Sequence, residues 1–167
     1  MSTDRAIGFA PQVSSDTRVL VLGSLPGVAS LKLGQYYGHP RNAFWPIMGQ
    51  LTGETLAQMP YPQRLERLLL SGIGLWDVLA SAERSGSLDA AIRSEEAADL
   101  TGLVDTLPRL CAIGFNGAMS AKVGRRILQP YAAKIDLIDL PSSSPAHARS
   151  LDEKARHWSV LLPYLKR

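Results

Sequence analysis

One cysteine, Cys111, and three histidines, His39, His147 and His157, are all the soft metal ligands in a chain of 167 residues. They cannot supply four thiolates, which excludes an iron–sulfur cluster or a zinc ribbon. Aromatic residues make up only 7% of the chain, no Lys/Arg block is longer than two residues, and no apolar run is long. A membrane span needs roughly 18 consecutive apolar residues, and Met1 to Arg18 lack the apolar stretch of a signal peptide. The expectation is a reduced, cytoplasmic protein with no membrane anchor, no metal and no other cofactor. What remains is ordinary globular composition, 46% apolar and 20% charged, with a formal net charge of +3. A chain of this size buries about 70% of the surface its unfolded form exposes. Residues 1–167 therefore read as a single domain, and the mild positive charge permits a polyanionic partner without demanding one.

Four short apolar runs alternate with helical patterns, the signature of a parallel sheet covered on both faces. The runs are Val19 to Leu22, Ile73 to Trp76, Leu110 to Ile113 and Ile135 to Leu140. The expected fold is a three-layer α/β/α domain on a four-stranded, mostly parallel sheet. Phe44, Ile47, Met48 and Leu51 fall at i, i+3, i+4 and i+7 and predict a helix from Phe44, with Pro46 in its first turn. Leu65, Leu68 and Leu69 mark a second helix, Leu103 to Leu107 a short one, and Ala118 to Leu128 another that Gly124 would weaken. Ser150 and Glu153 form an S-x-x-E capping box ahead of Ala155, Trp158, Leu162 and Leu165 on one face. Ala82 to Asp99, rich in charge and small residues, reads as an irregular surface excursion.

Ligands of open parallel sheets bind beyond the carboxyl ends of the strands. Those ends carry Gly23-Ser24-Leu25-Pro26-Gly27, Asp77, Phe115-Asn116-Gly117 and Pro141-Ser142-Ser143-Ser144-Pro145-Ala146-His147. The first loop has the glycines of a backbone that approaches a ligand closely, or simply those of a tight strand-to-helix turn. It matches neither nucleotide-phosphate fingerprint. Gln35 to Trp45 places Tyr36, Tyr37, Phe44 and Trp45 beside His39, Arg41 and Asn42, a density suited to stacking a planar heterocycle and reading its edge. The plainer alternative makes Phe44 and Trp45 core residues and Asn42 a helix N-cap. Ser142, Ser143 and Ser144, held between Pro141 and Pro145, can grip backbone phosphates or form a solvated turn.

Together these segments resemble the uracil-DNA glycosylase superfamily, in particular its hypoxanthine-DNA glycosylase branch. Gly23 to Gly27 stands where mismatch-specific uracil/thymine glycosylases carry G-x-N-P-G, and His39-Pro40-Arg41-Asn42-Ala43-Phe44-Trp45 resembles their P-x-N-x-F-W. Leu140 to Ala146 looks like the loop after the last strand. Gly74 to Val78, Arg84-x-Gly86-Ser87-Leu88-Asp89 and Phe115-Asn116-Gly117 look like secondary blocks. Leu25 occupies the position of the water-orienting Asn of those relatives, and Leu140 that of a His or Asn in other branches.

The resemblance implies a monofunctional enzyme of base excision repair. It would flip deaminated bases, hypoxanthine or uracil, out of DNA and hydrolyse the N-glycosidic bond to leave an abasic site. It implies that Asn42 is the catalytic residue, presenting its amide to water or base. Ser24, Leu25, Pro26, Gly27, Tyr37, Phe44 and Asn116 would form the base pocket, with Phe44 stacking on the base and Asn116 or a loop amide reading its edge. Ser142, Ser143, Ser144, Pro145 and His147 would meet DNA, and Ser144, Pro145 and Ala146 lie nearest the place of a wedge. A monomer fits a protein that tracks along DNA. Two other readings fit parts of the sequence: a DNA-binding module of this fold without the chemistry, motivated by Leu25 and Leu140, and a serine hydrolase using Ser142 to Ser144 with His147. The second lacks a G-x-S-x-G elbow and an acidic partner.

Overall fold

A computed structural model describes residues 5–166, so Asp4 and the extreme ends of the expected domain lie outside the described residues. The strands are β1 (Arg5–Ile7), β2 (Val19–Gly23), β3 (Ile73–Asp77), β4 (Leu79–Arg84), β5 (Ile92–Ala97), β6 (Ala112–Asn116) and β7 (Asp136–Leu140). The α-helices are α1 (Val28–Leu33), α2 (Phe44–Thr52), α3 (Tyr61–Leu70), α4 (Leu100–Val104), α5 (Ala118–Leu128) and α6 (Leu151–Trp158).

The central sheet has four strands in the order β3-β2-β6-β7, every pair parallel. Strand β2 is buried along its whole length, which is why its apolar run shows no polar alternation. Leu20 and Leu22 pack on one face with Val104, Val123 and Leu128 of α4 and α5. Val19 and Val21 pack on the other with Phe44, Met48, Leu68 and Trp158 of α2, α3 and α6. The expected three layers are present.

Several expectations shift. Ala82 to Asp99 is not irregular: β4 and β5 pair antiparallel, and β1 joins them in a second sheet of order β1-β4-β5. Its polar composition reflects the nearly full exposure of β5, not a lack of structure. Leu110 closes the turn after α4, its N–H bonding the Leu107 carbonyl at 3.2 Å, so the third strand starts at Ala112. Helix α4 starts at Leu100, where Asp99 Oδ1 accepts the Gly102 N–H at 3.1 Å.

At the C-terminus Ser150 Oγ accepts the Glu153 N–H at 3.1 Å, as the capping box predicts. Beyond Trp158 the chain tightens into a 3-10 helix, Ser159–Tyr164. Its shorter repeat turns Leu161 inward and leaves Leu162 44% exposed, so Leu162 does not share the expected face. Gly124 has a packing role: a Cβ there would stand 2.3 Å from Phe115 Cε1, so its lack of one lets α5 lie against β6.

Candidate active site

A cleft of about 400 Å³ opens at the carboxyl ends of β2, β3 and β6. Helices α1, α2 and α5 begin at its wall, and none has an acidic residue in its first turn. Their N-termini add positive potential to the cleft.

The loop after β2 is clamped from the side by the turn between β4 and β5. Ser24 Oγ donates to Asp89 Oδ1 at 2.6 Å, and Ser87 Oγ accepts the Val28 N–H at 2.8 Å. The Arg84 guanidinium donates to the Pro26 carbonyl and stands 3.7 Å from Asp89 Oδ1. Burial lowers its pKa, opposed by Asp89 and Asp77. Ser24, Leu25, Pro26 and Gly27 all line the cleft, and Leu25 also packs into the core.

Asn42 faces the cleft just before α2. Its Oδ1 accepts the Phe44 N–H at 2.9 Å, which leaves one lone pair and the Nδ2 hydrogens for a ligand. The N-cap of α2 is Ala43, so Asn42 is not the expected cap: it stands one residue earlier and its bond to the Phe44 N–H fixes the turn into the helix. Phe44 itself is a correction: it is fully buried and does not line the cleft. The ring of Tyr37 lies stacked on it at 4.0 Å and takes its place in the wall. Tyr37 is turned there by a backbone φ of 55°, uncommon for a residue with a side chain.

Asn116 lines the cleft, yet both ends of its amide are spent on the last loop. Its Nδ2 donates to Ser143 Oγ at 2.9 Å, and its Oδ1 accepts the Ser143 N–H at 2.9 Å. The Ser143 carbonyl accepts the Ala43 N–H at 2.9 Å. Ser143, expected to meet DNA, is therefore a sealed structural hub, 1% exposed. Ser142 and Ser144 differ: each Oγ accepts a backbone N–H two residues on, at 3.1 and 3.2 Å, which leaves its hydrogen free to donate. Pro145 and Ala146 are exposed on the cleft rim. His147 also lines the cleft, with Nε2 buried and unpartnered among the described residues. Burial lowers its pKa first, then the charges of Lys154 and Arg149, against Glu153. Lys154, 2% exposed, supports the loop from α6 by donating to the Ser144 carbonyl at 3.0 Å.

Sequence reasoning gave no role to Asp77, Ser87, Leu88 and Asp89, all of which line the cleft. The signal for Asp77 is a carboxylate ending an otherwise apolar buried strand. Asp77 pairs in register with Gly23, where a Cβ would stand 2.6 Å from Asp77 Oδ1 and 3.0 Å from the Tyr37 hydroxyl. Only glycine lets both groups close the floor of the cleft. Among the described residues no helix is long and apolar enough to cross a membrane, and no cluster of three His, Cys, Asp or Glu could hold a metal.

The model of the uracil DNA glycosylase superfamily matches residues 10–166. The chain belongs to that superfamily. It is 42% identical to a hypoxanthine DNA glycosylase of Methanosarcina barkeri over 91% of this chain and 94% of that one. A hypoxanthine DNA glycosylase of Methanosarcina acetivorans is 37% identical over 92% and 96%. A solution NMR structure from Methanosarcina acetivorans, described as a candidate uracil DNA glycosylase, superposes with a TM-score of 0.85 at 36% identity, covering 95% of this chain and 97% of that one. The family resemblance drawn from the motifs holds over nearly the whole chain, and the protein is a DNA glycosylase.

Proposed function

We propose that this glycosylase excises hypoxanthine from DNA, with uracil as a second substrate, and leaves an abasic site. The observation that carries the reading is a cleft bounded by Asn42, Tyr37 and the Ser24 to Gly27 loop in a chain 42% identical to a hypoxanthine DNA glycosylase. Hypoxanthine and uracil share a carbonyl acceptor beside a ring N–H donor, so one set of polar groups serves both. A base must leave the stack to reach the cleft, at a cost of a few kcal/mol that is smallest for damaged or mismatched pairs.

Tyr37 stacks on the extruded base, supported from behind by Phe44. Asn42 uses its remaining lone pair to orient water toward C1′. The sugar becomes positive and the base negative as the bond breaks, so preorganised dipoles suffice and no covalent nucleophile is required. No lysine lines the cleft among the described residues, which favours hydrolysis without lyase chemistry. Ser142, Ser144 and backbone amides of the last loop take the phosphates, while His147, uncharged, sits beside them. Leu88, 59% exposed on the clamped turn at the cleft rim, is larger than Ser144, Pro145 or Ala146 and fills the gap left in the duplex. The enzyme works as a monomer on cytoplasmic, nucleoid DNA.

The test uses labelled duplexes carrying one hypoxanthine, uracil, xanthine or mismatched thymine, treated with alkali after incubation. Strand breaks with wild type, strongest for hypoxanthine and lost in Asn42→Ala, are expected. DNA binding without breaks on any substrate would instead support a binding module, the reading that the buried Leu25 and Leu140 favour.

A further inference from the structure

The floor of the cleft holds two acidic groups, the Asp77 carboxyl and the Tyr37 hydroxyl, whose protons the mechanism above does not use. Asp77 is 4% exposed at the end of β3, and its Oδ2 has no hydrogen-bond partner among the described residues. The Tyr37 hydroxyl beside it is equally sealed and makes no full hydrogen bond among the described residues, with Asn116 close enough to favour its ionised form slightly against burial. Both residues line the cleft, and both press on the space where Gly23 lacks a side chain. A buried ionised carboxylate asks for several donors. Asp77 Oδ2 has none among the described residues, whereas a neutral acid asks for one acceptor. The base that enters supplies that acceptor in its carbonyl oxygen.

We propose that Asp77 acts as a carboxylic acid that donates its O–H to the carbonyl oxygen of the flipped base and stabilises that base as it departs. The proposal rests on the excision reading above. It also supplies what the last strand lacks, since Leu140 is packed over Gly114 within the core and offers the base no donor. As the glycosidic bond breaks, its electron pair stays with the base, and the Asp77 proton passes to the base oxygen. Water adds to C1′ and gives its proton to solvent, and Asp77 recovers a proton from solvent. Charge around the carboxyl agrees with this cycle. Its pKa is raised to about 7, first by burial and then by Asp89 in the β4–β5 turn, with Arg84 of β4 opposing both. The neighbouring Tyr36 and Tyr37 phenols are themselves pushed upward by burial and by Asp77, so they remain neutral.

The experiment follows single-turnover hypoxanthine excision from about pH 6 to 9 for wild type, Asp77→Asn and Tyr37→Phe, with carboxyl titration by 13C NMR assigned through Asp77→Asn. Thermal melts and binding to duplex with an uncleavable abasic analogue show that the variants are folded. The wild-type rate is expected to fall about tenfold per pH unit above the Asp77 titration. Asp77→Asn should be slower and pH-independent with binding intact, and Tyr37→Phe should keep the alkaline limb. An unchanged limb in Asp77→Asn, or a carboxyl titrating in the ordinary range, overturns the proposal while excision stands. A wild type that releases no base from any substrate overturns the excision reading, and this proposal with it.

Discussion

Asn116 and Ser143 exchange two hydrogen bonds, one through each end of the amide, both 2.9 Å long and both buried. The pair fastens the end of β6 to the last loop, and the Ala43 N–H on the Ser143 carbonyl ties in the start of α2.

Asn116→Ala breaks both bonds and leaves the Ser143 amide unpaired. A loss of about 1 to 3 kcal/mol in urea unfolding is expected. Affinity for abasic-site duplex should fall as well, because the loop carrying Ser142 and Ser144 loses its anchor.

Asp77 links stability to pH. Its folded pKa is raised from 3.8 to about 7, so the folded state holds the proton more tightly than the unfolded chain. The resulting stabilisation is fully present below the unfolded value and is lost as pH rises through about 7. Asp77→Asn does not titrate, so its melting temperature should exceed that of wild type above neutrality and lose that advantage in acid. Paired thermal scans across this range read the crossover.

Gly124→Ala should destabilise, although alanine is the better helix former by about 1 kcal/mol. The new methyl would stand 2.3 Å from Phe115 Cε1. Forcing α5 off β6 is expected to cost about 1 to 3 kcal/mol, visible as a lower urea midpoint.

Lys154→Met keeps the buried stem and removes the donor to the Ser144 carbonyl. Stability should change little, since burial already disfavours the ammonium and lowers its pKa. Binding to duplex DNA should weaken several-fold in titrations at fixed salt. The comparison must hold salt constant because phosphate contacts are screened.

Leu88→Ala tests the exposed side chain at the rim. Excision from duplex should fall severalfold, while excision from a single strand, which has no stack to fill, should stay near wild type. Equal losses on both substrates would remove Leu88 from that role.

The central sheet was legible because each of its strands interrupts a helical pattern with a short apolar run, and burial on both faces leaves β2 no polar position. Helix α6 was legible from its capping box. The β4–β5 hairpin was not: β5 reads Arg93-Ser94-Glu95-Glu96 toward solvent, and its sheet is completed by β1 from the far end of the chain. In the cleft, the motifs named the loops but not which ring faces inward. Tyr37 rather than Phe44 does so because of a backbone turn at Tyr37 that propensity does not announce. Asp77 was visible at a strand end, but the burial of its unpartnered Oδ2 exists only once Gly23 and Tyr37 are folded against it.

The clamped turn carrying Ser87, Leu88 and Asp89 gives the cleft two unequal jaws. One is a knot of β6, α2 and the last loop in which every strand of the weave is held by another. The other rests on a hairpin whose outer strand faces water and whose grip is three side-chain bonds. Changes in the first jaw break the scaffold before they alter what it holds. Changes in the second can widen or narrow the opening at small cost, so divergence in the size of base accepted should accumulate in residues 85–91 while the Asn42, Asn116 and Ser143 side stays fixed.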